Sequence, residues 1–251
     1  MTTFGRDDDL KDARFEGADL RGARFVSSDL AGVVMRGVEV SGVEVDSPWL
    51  DEGEGLVVNG VDVADYVEAE LARRFPGREQ KRAADPAGLR AAWAAVESAW
   101  ATALQRAAAM PAGTVEVSVA GEWSFVQTLR HLVLATDMWL GKAILRLDEP
   151  FHPLGLINTE GADDDGHDLS VFTDRRPTFE EVLEVRAERM AMVRDFLAGV
   201  TDDMLAESRP NPHSPDYAET VRSCLHTILA EEWEHLRYAS RDLDAIESQL
   251  N

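Results

Sequence analysis

Ala230-Glu231-Glu232-Trp233-Glu234-His235 interrupts an apolar stripe made by Val221, Leu225, Ile228, Leu229, Leu236, Ala239, Leu243 and Ile246. That stripe has the 3.6-residue period of an amphipathic helix, expected to begin near Asp216 and to run towards Gln249. On such a helix Glu231 and His235 lie one turn apart and share a face. His235 falls inside the stripe, Glu231 at its edge and Glu232 near its centre. Charged and imidazole groups in a core stripe carry a desolvation cost. Either a cation or a hydrogen-bonding partner must offset it.

Three further helices are legible upstream. Asp85-Pro86 is an N-cap followed by proline at the first helical position, opening a helix to about Met110 with Leu89, Trp93, Val96, Trp100 and Leu104 on one face. Ser124 starts a second, to about Leu147, carrying Phe125, Leu129, Leu132, Val133, Leu140, Ile144 and Leu147. Thr178 with Glu181 forms a capping box for a third, to about Ala198. The expected fold is mainly α, a four-helix bundle over residues 85–251. Between the second and third helices lies a long segment containing Gly161-Ala-Asp-Asp-Asp-Gly-His167, of a length typical of lids and binding loops.

The N-terminal region has a different period. Leu10, Phe15, Leu20, Phe25, Leu30, Met35, Val40 and Val45 recur every five residues, with Ala13, Ala18, Ala23 and Ser28 two positions before the early ones. Neither helix nor strand has this spacing, whereas short fixed repeats mark solenoids. Ala13-Arg-Phe-Glu-Gly-Ala18-Asp-Leu-Arg-Gly-Ala23-Arg-Phe resembles the pentapeptide-repeat family. That resemblance implies a short right-handed quadrilateral β-helix of about two coils over residues 1–50, with small and large residues pointing inward. Residues 51–84 read as a linker, with a turn at Asn59-Gly-Val-Asp62 and a short helix ending at Pro76-Gly77.

Composition narrows the function. A net charge of −22 argues against nucleic acid and anionic membrane as partners. Cys224 is the single cysteine, so the chain has no internal disulfide and suits a reducing cytoplasm. The N-terminus lacks the basic and apolar regions of a signal peptide, and no apolar run reaches the length of a membrane span. Cytoplasmic localisation is expected.

A histidine from the second helix, His131, completes a set with Glu231 and His235 that could hold a divalent ion and leave positions free for catalysis. Gly121-Glu-Trp123-Ser124-Phe-Val-Gln-Thr-Leu-Arg-His131-Leu-Val, followed by the distant Ala230-Glu231-Glu232-Trp233-Glu234-His235, resembles the DinB superfamily of four-helix metalloproteins. The nearest branch is that of mycothiol-dependent maleylpyruvate isomerase, and the resemblance spans roughly residues 85–247. It implies His131, Glu231 and His235 as metal ligands, with Glu232 the competing choice. Two imidazoles and a carboxylate suit zinc, nickel, iron and manganese, and zinc or nickel is expected. His152 and His167 lie in the long loop, where they could approach such an ion but are read first as part of the loop's polarity. His226 is out of phase with it, and Cys224 is read as a buried thiol. Trp123 and Trp233 are candidate pocket walls or core residues, and Gln127 and Arg237 candidate supporting groups.

The resemblance further implies use of a low-molecular-weight thiol as cosubstrate, mycothiol if the arginine- and alanine-rich composition reflects an actinobacterial source. The expected partners are that thiol and an electrophilic small molecule, joined by S-transfer or isomerised, in a chain that could pair as a homodimer. The rival expectations are a non-catalytic metal-binding scaffold and a metal-dependent hydrolase.

Overall fold

A computed structural model of the protein describes residues 3–5, 7–50, 53–157 and 168–250. The chain divides into two compact units, Met1–Asp46 and Ser47–Asn251.

In the first unit the five-residue period is written into the backbone. Asp12, Gly17, Gly22, Ser27, Gly32, Gly37 and Gly42 all have positive φ, so each repeat turns through the left-handed region two residues after its large side chain. Every second corner is closed by a hydrogen bond across three residues, as from Ala13 N–H to Leu10 C=O and from Ala23 N–H to Leu20 C=O. With positive φ at the third position, these are turns of type II. The expected closed β-helix is not formed. Among the described residues of this unit no strand is present, and the large residues expected inside, Leu10 to Val45, are 45–62% exposed. The physical reason is length. Four corners make one coil, so eight repeats give each inward side chain at most one neighbouring layer, where a solenoid core needs layers on both sides.

The second unit opens with a hairpin, β1 (Val57–Val58) against β2 (Val61–Asp62). Asn59 and Gly60 both have positive φ, the two-residue turn this hairpin requires. Helix α1 (Ala64–Arg74) follows, its first N–H taken by the Asp62 carboxylate. Beyond it Arg78 is buried between Glu68 of α1 (3.0 Å) and Glu234 (2.6 Å), which joins this segment to the last helix of the bundle.

The bundle consists of α2 (Pro86–Ala109), α3 (Phe125–Thr136), α4 (Phe179–Gly199) and α6 (Val221–Leu250), with α5 (Asp202–Ala206) a single short turn of helix. The caps act as the sequence indicates. The Asp85 carboxylate accepts from Ala87 and Gly88 N–H, and Ser124 with Gln127 and Thr178 with Glu181 form reciprocal capping boxes. Helices α2 and α3 each pack against both α4 and α6. Their apolar faces converge on a core that includes Trp93, Trp100 and Trp233. Each such ring removes about 150–250 Å² from water, a gross gain of about 4–6 kcal/mol at about 25 cal/mol per Å².

Two features depart from the sequence reading. Helix α3 continues past Thr136 as a π-helical stretch, Asp137–Ile144, and stops short of Leu147. Helix α6 begins at Val221, not near Asp216, because Ala218–Thr220 (β4) pairs with Ser208–Pro210 (β3). The turn between them is set by Asn211, whose side-chain oxygen accepts from His213 and Ser214 N–H. Thr220 and Ser223 then exchange side chain–backbone hydrogen bonds at the start of the helix. No helix among the described residues is long and apolar enough to cross a membrane.

Candidate metal centre

The capping box at Ser124 fixes where α3 starts, and His131 comes nearly two turns later on the side facing α6. There it meets Glu231 and His235. Glu231 Oε2 lies 3.3 Å from His131 Nε2 and 3.2 Å from His235 Nε2. The two imidazole centroids are 4.7 Å apart. One ligand atom from each residue lies within 4.8 Å of the others, and among the described residues this cluster has three members. Side-chain exposures of 18%, 32% and 15% for His131, Glu231 and His235 leave the cluster reachable from solvent.

The hydrogen bonding of His131 bears on what fits there. Its Nδ1 faces the Leu156 carbonyl at 3.3 Å, and a carbonyl only accepts, so Nδ1 carries the proton. In the neutral ring that leaves a lone pair on Nε2 aimed at a carboxylate oxygen. Two acceptors in that position repel unless a proton or a cation lies between them. Burial opposes ionisation of Glu231, but the His131 and His235 imidazoles beside it outweigh this and hold the carboxyl well below its usual range. Burial pushes His235 down, against the pull of Glu231, towards the neutral imidazole. An ionised carboxylate and neutral imidazoles are the metal-binding forms. Atoms bound at about 2.0–2.2 Å to one tetrahedral ion are about 3.3–3.6 Å apart. The two short separations, 3.3 and 3.2 Å, lie at and just below the lower end of that span, so a small outward shift of the side chains lets the residues fit a divalent cation.

A family model described as the DinB superfamily matches residues 95–239, more than half of the chain and inclusive of all three side chains. The chain belongs to the DinB superfamily. A second model, for pentapeptide repeats, matches eight copies over residues 9–43. No curated protein and no solved structure matches the chain. DinB proteins bind metals, and this DinB chain has a possible His/Glu site of that kind.

The remaining candidates of the DinB domain separate cleanly. Trp123 lies against both imidazoles, 4.7 Å from His131 and 6.1 Å from His235 in a nearly parallel stack, so it walls the cluster. Trp233 is core. Glu232 points the other way, into the bundle, where it pairs with Arg186 of α4. Gln127 is spent in its capping box and Arg237 pairs with Glu234. Cys224 is fully buried and its thiol is pushed up to about 12 by burial, which makes it a poor nucleophile. His152 Nδ1 accepts from Leu154 N–H, and His167 lies outside the described residues. Sequence reading missed Arg186, whose place among Val182, Val185 and Val193 on the buried side of α4 was the available signal.

His226 donates from Nε2 to the Ala83 carbonyl at 2.8 Å. Burial pushes this imidazole down, so the folded chain keeps it neutral where the unfolded chain binds a proton. Its contribution is therefore complete above the ordinary histidine range and is lost as pH falls. His226→Gln, which keeps a donor, is expected to lose less melting temperature than wild type between about pH 7 and about pH 5. Parallel slopes in thermal melts across that interval would refute this.

Proposed function

We propose that the chain is a divalent-metal-dependent enzyme in which His131, Glu231 and His235 hold the ion and a mycothiol-type thiol reacts with an electrophilic small molecule in the cytoplasm. The observation that carries the metal reading is the contact of Glu231 Oε2 with the Nε2 atoms of two imidazoles, one of which, His131, commits its Nδ1 proton to the Leu156 carbonyl. Zinc or nickel is the proposed ion. A divalent cation held there lowers the pKa of a thiol that approaches it, so that sulfur can attack at neutral pH.

The chain's own residues supply the rest. Glu231 brings the negative charge that favours a cation over a second proton, and His131 and His235 present nitrogen donors from two different helices. Trp123 covers one side of the imidazoles and restricts water there. Three protein donors, and no fourth among the described residues, favour an open site over a closed structural one. The thiol part of the proposal rests on the isomerase-like pairing of Glu231 with His235.

The test is consumption of free thiol. Protein reconstituted with zinc or nickel is incubated with mycothiol, or a cysteinyl-glycoside analogue, and a panel of electrophiles. Metal-dependent loss of thiol in wild type, absent in His235→Ala, is expected. No loss across a broad panel, with metal bound, would leave a metal-binding scaffold.

A further inference from the structure

The segment 151–157, separated by six residues from the end of the π-helical stretch, folds back across α3, and its contacts are more specific than a connection requires. At its near end the buried Asp137 accepts from His152 N–H with one oxygen (2.8 Å) and from Arg189 of α4 with the other (2.6 Å). In its middle, Leu154 is buried against Val133 and Val185, while its carbonyl accepts from Arg130 Nε at 2.9 Å. A tight turn is closed from Gly155 N–H to His152 C=O, and the packing there is close. A Cβ on Gly155 would stand 3.1 Å from Phe172 and 3.2 Å from the His152 carbonyl. At its far end, Leu156 N–H donates to Arg130 C=O and Leu156 C=O faces His131 Nδ1.

We infer that this strap is a positioning device for the metal centre, with Asp137 and Arg130 as positioning residues that hold the Leu156 carbonyl on His131 and thereby fix the Nδ1–H tautomer. A buried carboxylate is expensive unless both oxygens are matched. Asp137 uses one to neutralise itself against Arg189 and the other to fix a backbone N–H of the strap. The bond to Arg130 keeps the next turn from sliding along α3. A carbonyl so fixed orients the imidazole ring and leaves Nε2 directed at Glu231, as outer partners of ligating histidines do. The inference rests on the metal reading above only for its purpose; the tautomer is a property of the metal-free chain.

The experiment uses full-length protein with 15N-labelled histidine, metal-free, at about pH 8.5, above the ordinary imidazole range. Long-range proton–nitrogen correlations report the tautomer, and His131→Gln identifies the His131 signals. Wild type is expected to show Nδ1–H at His131. Asp137→Asn and Arg130→Met are expected to show mixed tautomers and about tenfold weaker zinc binding in competition with a chelating dye. Should Asp137→Asn not fold, Arg130→Met decides, because it leaves the Asp137–Arg189 pair intact. A purely structural role would lower the melting temperature and leave the tautomer alone. Nδ1–H retained in the variants, or Nε2–H in wild type, overturns the inference. Wild type that shows Nδ1–H but binds no zinc would instead overturn the metal reading and leave the strap standing.

Discussion

Arg186→Met is expected to lower unfolding free energy by about 3–5 kcal/mol, because it strands a carboxylate in the core. Arg186 and Glu232 are 3% and 1% exposed, and they meet between α4 and α6. Burial pushes the Glu232 carboxyl up, and the Arg186 guanidinium, followed by the Trp100 indole, opposes this. Without Arg186 the cheapest state is the neutral acid. A folded pKa raised above the unfolded value gives stability that is full below the unfolded pKa and lost as pH rises through the folded one. The deficit of the variant relative to wild type should therefore be smallest near about pH 4–5 and should grow towards neutrality. Arg186→Met combined with Glu232→Leu removes both charges and should recover most of the loss. Denaturant unfolding of the three proteins at two pH values measures this. A single-variant loss below about 1 kcal/mol would mean that the pair does not carry the charge balance of the core.

Glu231→Gln is expected to abolish stabilisation by zinc. In wild type, a free ion concentration of about a thousand times Kd adds about 4 kcal/mol through binding to the folded state. The glutamine keeps the shape but loses the carboxylate charge that both imidazoles contact, so no such gain is expected at the same concentration. His226→Gln, on the same helix but turned towards Ala83, should respond to zinc as wild type does. Thermal melts with and without zinc compare the three. An equal shift in Glu231→Gln would place the ion elsewhere.

What could be read from the sequence was what neighbours in the chain decide. Asp85-Pro86, Ser124 and Thr178-Glu181 each satisfy N–H groups two or three residues away, so three helix starts were legible from short windows. The apolar stripes placed Trp93, Trp100, Leu229 and Leu236 in the core. Glu231 and His235 are paired by helix geometry alone. The contact of His131 on α3 with Glu231 on α6 came from resemblance to a family, since a separation of a hundred residues leaves no local signal. Arg186–Glu232 and the anchoring of His152 by Asp137 were invisible for the same reason. The start of α6 was misplaced because Thr220 with Ser223 competes with the earlier Asp216, and only the pairing of Ala218–Thr220 with Ser208–Pro210 decides between them. The repeats were legible as repeats, and the period of positive φ follows them. Closure into a solenoid depends on the number of stacked coils, which the motif does not encode.

His131, Glu231 and His235 are proposed to bind one divalent ion. Plasma mass spectrometry of untagged protein, wild type beside His235→Ala, measures it directly. Near-stoichiometric zinc or nickel in wild type and its loss from the variant is the expected result. No metal in wild type, even after reconstitution with either ion, would mean that the three side chains form no metal centre.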